Sequence, residues 1–91
     1  MIRVLIVEDQ AILRESLARS VGDQPDMTVV AAIADASEAL GVALKERPDM
    51  ILMDVCTEHD SNGIVAAAHI KEQLPECRVI IMTGMPEITF V

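Results

Sequence analysis

The sequence has almost no aromatic residues: Phe90 is the only one among 91 residues, and tryptophan and tyrosine are absent. Any core must therefore be built from aliphatic side chains and methionine. These are abundant, because 52% of the chain is hydrophobic. Such a composition disfavours disorder of the whole chain, and the length suits one small domain.

Positive charge and cysteine are also scarce. Lysine and arginine total 7 against 15 acidic residues, and the formal net charge of −8 disfavours direct binding to nucleic acid or to an anionic membrane surface. The two cysteines, Cys56 and Cys77, are too few for a disulfide framework and lack metal-ligand spacing, so we expect both to be reduced.

Long hydrophobic runs are missing as well. No apolar stretch approaches the ~20 residues of a membrane span. The first one ends at Glu8, without the pattern of a signal peptide. We therefore expect a cytoplasmic protein that does not enter the membrane.

Apolar runs of strand length alternate with segments of helical spacing. The runs are nearly continuous in Val, Ile, Leu and Met, which is typical of parallel strands covered on both faces. They occupy residues 2–7, 27–33, 50–55 and 78–83. Helices are predicted over 11–21, 38–47 and 63–74. This alternation predicts an α/β fold with a doubly wound, open parallel sheet, in a single domain over 1–91.

Each predicted helix has an apolar stripe that we expect to be buried. The stripes are Leu13, Leu17 and Val21 in the first helix, Leu40, Ala43 and Leu44 in the second, and Ile64, Ala67 and Leu74 in the third. Asp35 and Glu38 have the spacing of a capping box at the start of the second helix.

Acidic side chains stand where the predicted strands end. Glu8 and Asp9 follow the first strand, Asp54 lies at the end of the third, and Thr83 ends the fourth. The carboxyl ends of parallel strands meet at one edge, so these groups converge if the first and third strands are neighbours. Two carboxylates about 5 Å apart repel by about 3 kcal/mol at an effective dielectric constant of ~20. A hard divalent cation, most simply Mg²⁺, would relieve that repulsion.

Helix capping is a simpler interpretation of Glu8 and Asp9, because acids favour helix N-termini. Asp54 favours the metal site, since it interrupts an apolar strand end where no helix start accounts for it. A carboxylate beside Mg²⁺ can also attack phosphorus to form an aspartyl phosphate, and Thr83 could donate a hydrogen bond to that group.

Three motifs in this order and spacing resemble the response-regulator receiver domain of bacterial two-component signalling. They are "VLIVEDQ" at 4–10, "PDMILMDV" at 48–55 and "VIIMTG" at 79–84, and the N-terminal half is most similar to receivers of the NarL/LuxR type. The resemblance implies a flavodoxin-like receiver fold with strand order 2-1-3-4-5, whose last strand and helix would be missing from this chain. It implies Asp54 as phosphoacceptor, Thr83 as switch hydroxyl, and Mg²⁺ bound by Glu8, Asp9, Asp54 and the backbone carbonyl of Cys56.

By the same resemblance, the chain is a signalling domain rather than an enzyme. Its phosphodonor would be a sensor histidine kinase and its output the regulation of transcription. The loop "DVCTEHDSNG" at 54–63 departs from the family pattern because it lacks the proline that usually follows the aspartate, and no lysine matches the one on the family's last strand.

Two alternatives and one expectation about assembly remain. The chain could be a receiver-like interaction module that is not phosphorylated. A Mg²⁺-dependent phosphatase with an aspartate nucleophile is disfavoured, since such enzymes usually need a second acid where this chain has Cys56. If the fourth strand is an uncovered edge, residues 78–91 are expected to form a homodimer.

Overall fold

The computed structural model of the chain describes residues 1–55 and 61–83, with only the backbone of Val55, Ser61, Asn62 and Thr83. The strands are β1 (Ile2–Val7), β2 (Met27–Ile33), β3 (Met50–Val55) and β4 (Arg78–Thr83). The helices are α1 (Ala11–Gly22), α2 (Ala39–Glu46) and α3 (Ser61–Gln73), and a short 3₁₀ helix (Ala36–Glu38) precedes α2. Within the described residues, no helix has the length and apolar character needed to cross a bilayer.

The four strands form one parallel sheet in the order β2-β1-β3-β4. This order confirms the predicted α/β fold. Strand β1 lies at the centre, and Val4 to Val7 are at most 2% exposed because both faces of the strand are covered. Continuous apolar sequence is what such a position requires, since neighbouring side chains point to opposite faces.

The helices cover both faces of the sheet. Val4 and Ile6 pack with Val21 of α1 on one face. Leu5 and Val7 lie on the other face, in a cluster that includes residues of α2 and α3. The sheet is therefore doubly wound, as predicted, and the carboxyl ends of all four strands point to the same edge.

Three residues of the predicted stripes are more exposed than expected. Leu13 and Leu44 are each 40% exposed and Ile64 is 58% exposed, so the prediction that they are buried is wrong. In α3 the buried residues are Ala66, Ala67 and Ile70. Ile64 lies about 120° around the helix from Ile70, at ~100° per residue, and therefore falls outside the narrow arc that faces the sheet.

The capping box is only partly formed. The side chain of Asp35 accepts hydrogen bonds from the backbone N–H of Ser37 at 2.9 Å and from its hydroxyl at 2.8 Å, and so caps the 3₁₀ helix. Glu38 occupies the N-cap position of α2 without a side-chain capping bond. The 3₁₀ turn displaces the start of α2 by three residues, so the reciprocal bond of a capping box does not form.

Candidate functional site

Glu8 lies at the carboxyl end of β1, one residue beyond Val7, and the register pairs Val7 with Met53 of β3. Glu8 is thereby level with Asp54, the next residue of β3. The backbone around Glu8 is held by two bonds. Its N–H donates to the carbonyl of Ile33 at 2.9 Å, and its carbonyl accepts from the Arg14 guanidinium at 2.9 Å. These bonds place the Glu8 side chain at the edge where β1, β2 and β3 end.

The Glu8 carboxyl is buried although it is acidic: the residue is only 1% exposed. Its Oε2 atom and the Oδ1 atom of Asp54 are both buried without a hydrogen-bond partner among the described residues. Unpaired buried carboxylate oxygens are costly, because desolvation of the charge is not offset. Each of these two oxygens therefore requires a proton or a cation to offset its burial.

The pKa of Glu8 reflects this environment and is raised to about 7. Burial is the largest cause, because it disfavours the charged form. A proton on Glu8 that is shared with Asp54 raises the pKa further, as does repulsion from the charges of Asp54 and Asp9. The backbone N–H of Gln10 opposes these effects by donating to Oε1 at 3.3 Å. Such a shift is typical of carboxyls that share one site.

Capping accounts for only part of this arrangement. Gln10 is the N-cap residue of α1 and makes no side-chain capping bond, and the first turn of α1 has no acid. Glu8 accepts a hydrogen bond from one backbone N–H through Oε1, but this bond does not account for the burial of Oε2 without a partner among the described residues. The burial of this second oxygen beside Asp54 indicates a ligand site rather than a cap alone.

A cleft of about 290 Å³ opens onto these carboxyls. Its lining residues are Val7, Glu8, Asp9, Ala34, Asp35, Ala36 and Asp54. The structure thus brings together the three acids that were predicted to meet. It adds Asp35, which was predicted from the sequence only as part of a capping box. The signal for Asp35 was present, because it follows the end of β2 as Asp9 follows the end of β1.

The remaining predicted site residues are described less fully. Cys56 lies outside the described residues. The backbone of Thr83 pairs with Val55, one step beyond the pair of Asp54 and Met82, and therefore ends at the same edge. In the stretches 1–55 and 61–83, no three Asp, Glu, His or Cys side chains lie close enough to hold a metal ion by themselves.

The residues present fit Mg²⁺ better than a metal that needs a complete cage of side chains. Glu8 and Asp54 supply unpartnered oxygens, and Asp9 lines the same cleft. Mg²⁺ prefers oxygen ligands and usually keeps several of its waters, so one or two carboxylates are a sufficient protein share.

Comparison with known proteins gives a consistent result. The family described as the response regulator receiver domain matches residues 4–91. The oxygen regulatory protein NreC of Staphylococcus haemolyticus is 32% identical over 81 residues, which are 89% of this chain and 37% of that protein. The chain thus spans little more than a third of the length of this curated relative.

Solved structures share the fold at similar identity. A LuxR-family two-component response regulator from Aurantimonas is 34% identical with a TM-score of 0.83, over 93% of this chain and 60% of that one. The response regulator domain of Thermotoga maritima CheB is 40% identical with a TM-score of 0.81, over 96% of this chain and 63% of that one. Together with the doubly wound sheet and the acidic cleft at its carboxyl edge, these matches show that the chain belongs to the response regulator receiver domain family.

Proposed function

We propose that this chain is the phosphoacceptor domain of a two-component response regulator and that Asp54 receives a phosphoryl group from a sensor histidine kinase. The observation that carries the proposal is the pair of buried, unpartnered oxygens on Glu8 and Asp54. In this proposal Glu8, Asp9 and Asp54 hold Mg²⁺ with the backbone carbonyl of Cys56, and Thr83 is the switch hydroxyl. The domain acts in the cytoplasm as a signalling domain rather than an enzyme.

Asp54 and Glu8 have different roles in this chemistry. An oxygen of Asp54 attacks the phosphorus of a phosphohistidine, the phosphorus–nitrogen bond breaks, and the histidine leaves as neutral imidazole after taking a proton from solvent. Glu8 is only 1% exposed whereas Asp54 is partly exposed, so Glu8 would orient the cation and Asp54 would be the nucleophile. Bound Mg²⁺ supplies charge neutralisation for the phosphoryl oxygens.

The output proposed for the whole regulator is control of transcription. Support comes from the relatives, one of which is described as a LuxR-family two-component response regulator and another as an oxygen regulatory protein. Direct contact of residues 1–91 with nucleic acid is not part of the proposal, because their net charge of −8 would repel the phosphate backbone.

Phosphorylation tests the proposal directly. Incubation of the chain with Mg²⁺ and acetyl phosphate, a small phosphodonor, is expected to give one phosphate adduct by intact-mass spectrometry. The Asp54→Asn variant should give none, because the amide is not a nucleophile toward phosphorus. Asp49→Asn is the matched control: it changes an exposed aspartate at the opposite edge of the sheet and should leave the adduct intact.

Two results would contradict the assignment. An adduct that persists in Asp54→Asn would place the phosphate elsewhere. The absence of any adduct in the parent chain, with its fold intact by circular dichroism, would favour the alternative, an interaction module of receiver type. Turnover of a phosphate ester would be required to revive the phosphatase interpretation.

We further infer that this 91-residue chain forms a homodimer through residues 78–91. In the described part of the chain β4 is an edge strand, and Ile80 and Ile81 are 43% and 44% exposed. Neighbouring side chains point to opposite faces, so both faces of β4 are partly uncovered. Exposed apolar edges of this kind favour pairing with a second chain, and a two-fold dimer is the simplest closed assembly. Residues 84–91 lie outside the described part.

Light scattering at micromolar concentration is expected to report the mass of a dimer. Ile81→Lys should shift it toward the monomer, because a charge on the strand would be buried at the interface. Ile12→Lys, at an 85% exposed position of α1, is the control that should leave the mass unchanged. A folded monomer at these concentrations would refute the dimer.

A further inference from the structure

We propose that Asp35, at the end of β2, is a positioning residue that strengthens cation binding in the acidic cleft through water rather than as a direct ligand. This inference rests on the proposed function, because it concerns the Mg²⁺ held by Glu8, Asp9 and Asp54. It adds a residue from a third strand to a site otherwise built from the ends of β1 and β3.

The register between β1 and β2 brings Asp35 to the cleft. The pairing shifts between Val4 and Leu5, so that Val4 pairs with Val29 but Leu5 pairs with Ala31. The shift brings Ile33 opposite Val7. Asp35 therefore follows β2 by the same two residues by which Asp9 follows β1, and both line the cleft.

A second observation, which does not depend on Asp35, indicates that the cleft binds a ligand. Glu8, which lines it with Asp35, is 1% exposed and its Oε2 has no partner among the described residues. A cluster of exposed acids would be a solvated surface, whereas a buried oxygen without a donor requires a proton or a cation.

Asp35 is held in place although it is exposed. Both bonds from Ser37 end on its Oδ1 atom, at 2.9 and 2.8 Å, and no hydrogen bond to Oδ2 is present in the described part of the chain. The bonds favour the ionised form, and the pKa of Asp35 is lowered by them. Oδ1 thus anchors the side chain to the start of the 3₁₀ helix, and Oδ2, which has no hydrogen bond from the described residues, is the atom that accepts from water in this proposal.

Because only one of its two oxygens is bonded to the protein, Asp35 is suited to an indirect role in cation binding. Mg²⁺ keeps several waters when it binds to proteins, and those waters need acceptors. A fixed carboxylate on the rim supplies an acceptor and a negative charge without displacing a water. The contribution is electrostatic and reaches the cation through solvent, so added salt should screen it.

Isothermal titration with Mg²⁺ at low and high salt tests the inference without any phosphorylation. Asp35→Asn keeps a side-chain oxygen for the bonds from Ser37 but removes the charge, since Asn is as good a cap as Asp. We expect Mg²⁺ affinity to fall about three- to tenfold at ~20 mM salt, the size typical of one charge acting through solvent. The deficit should shrink to about twofold or less at ~300 mM salt.

Ser37→Ala is the matched control, because it removes one bond to Asp35 and keeps the charge. It should lower the thermal midpoint while leaving Mg²⁺ affinity within about twofold of the parent value. A merely structural role for Asp35 would give the reverse pattern, in which Ser37→Ala weakens Mg²⁺ binding and Asp35→Asn does not.

The outcomes separate this inference from the proposed function. If Asp35→Asn binds Mg²⁺ as the parent does at low salt while Asp54→Asn does not bind it, the role of Asp35 is refuted and the proposed metal site stands. A loss that is equal at both salt concentrations also refutes a charge acting through water. If the parent chain binds no Mg²⁺, both proposals fall.

Discussion

Replacing Glu8 with glutamine is expected to make the metal-free chain more stable at pH 8 and to remove much of its dependence on pH. The pKa of Glu8 in the folded chain is about 7, against an ordinary value of 4.5. A carboxyl whose pKa is raised by folding favours the folded state at low pH, where it is protonated in both states. That advantage is lost as the pH rises from about 4.5 through about 7, because the unfolded chain releases its proton first.

The size of this effect follows from the pKa difference. One pKa unit corresponds to about 1.4 kcal/mol, so ionised Glu8 lowers the free energy of unfolding by roughly 3 kcal/mol once the pH is well above 7. Glutamine has nearly the same shape, carries no charge, and offers an N–H donor to the unpartnered oxygen of Asp54. Glu8→Gln should therefore recover most of that free energy at pH 8 and little of it at pH 4.

Urea unfolding of both proteins at pH 4, 6 and 8, in the presence of a chelator, measures the difference. Glu15→Gln is the matched control, since it makes the same substitution at an exposed site on α1 and should not change the pH profile. Addition of Mg²⁺ at pH 8 should stabilise the parent chain, because the cation binds the ionised folded form, and should stabilise Glu8→Gln much less. Parallel pH profiles for the parent and Glu8→Gln would refute this account.

Replacing Ile70 with alanine is expected to cost about 3 kcal/mol of folding free energy, the usual size for removing a large buried aliphatic side chain. Ile70 is fully buried and belongs to the cluster between the sheet, α2 and α3. Neighbouring core residues include Ala39, Ala43, Ala66 and Ala67. These alanines cannot fill the space, so closing the cavity would require movement of larger side chains of the cluster such as Met53.

A position on the same helix supplies the control. Ile64→Ala removes the same atoms from a side chain that is 58% exposed and should cost less than about 1 kcal/mol. The midpoint of thermal unfolding should fall by roughly 10–20 °C for Ile70→Ala and by a few degrees at most for Ile64→Ala. If Ile70→Ala does not fold, Ile70→Val should still fold with a loss of about 1 kcal/mol. Equal losses of folding free energy for Ile64→Ala and Ile70→Ala would contradict the assignment of Ile70, and not Ile64, to the buried face of α3.

The strand boundaries could be predicted from the sequence because they depend on local pattern. The runs expected at 2–7, 27–33, 50–55 and 78–83 coincide with β1 to β4. A strand of Val, Ile, Leu and Met with almost no polar residue is stable only where both of its faces are covered. The composition of such a run therefore predicts that it is a buried strand. Helix faces were predicted less well, since the arc that contacts the sheet depends on how closely alanines let the helix approach.

At the acidic edge, too, some features were predicted from the sequence and others were not. The positions of Glu8 and Asp9 just after β1, and of Asp54 at the end of β3, are properties of the sequence. Neighbouring parallel strands bring such ends together. The metal and phosphoacceptor roles of these residues stay predictions, as do those of Cys56 and Thr83.

By itself, then, the sequence determined the α/β class, the strand positions and the placement of acids at the strand ends, because each follows from local periodicity and chain direction. The adjacency of β1 and β3, which brings those acids together, is a feature of the tertiary structure. Only the tertiary structure decided that Glu8 is buried with an oxygen left unpartnered, that its pKa is raised, and that Asp35 joins the cleft. These features depend on the register between strands far apart in sequence, including the shift opposite Val4 and Leu5. A displacement by one residue would reverse which side chains face the cleft, and no local pattern specifies it.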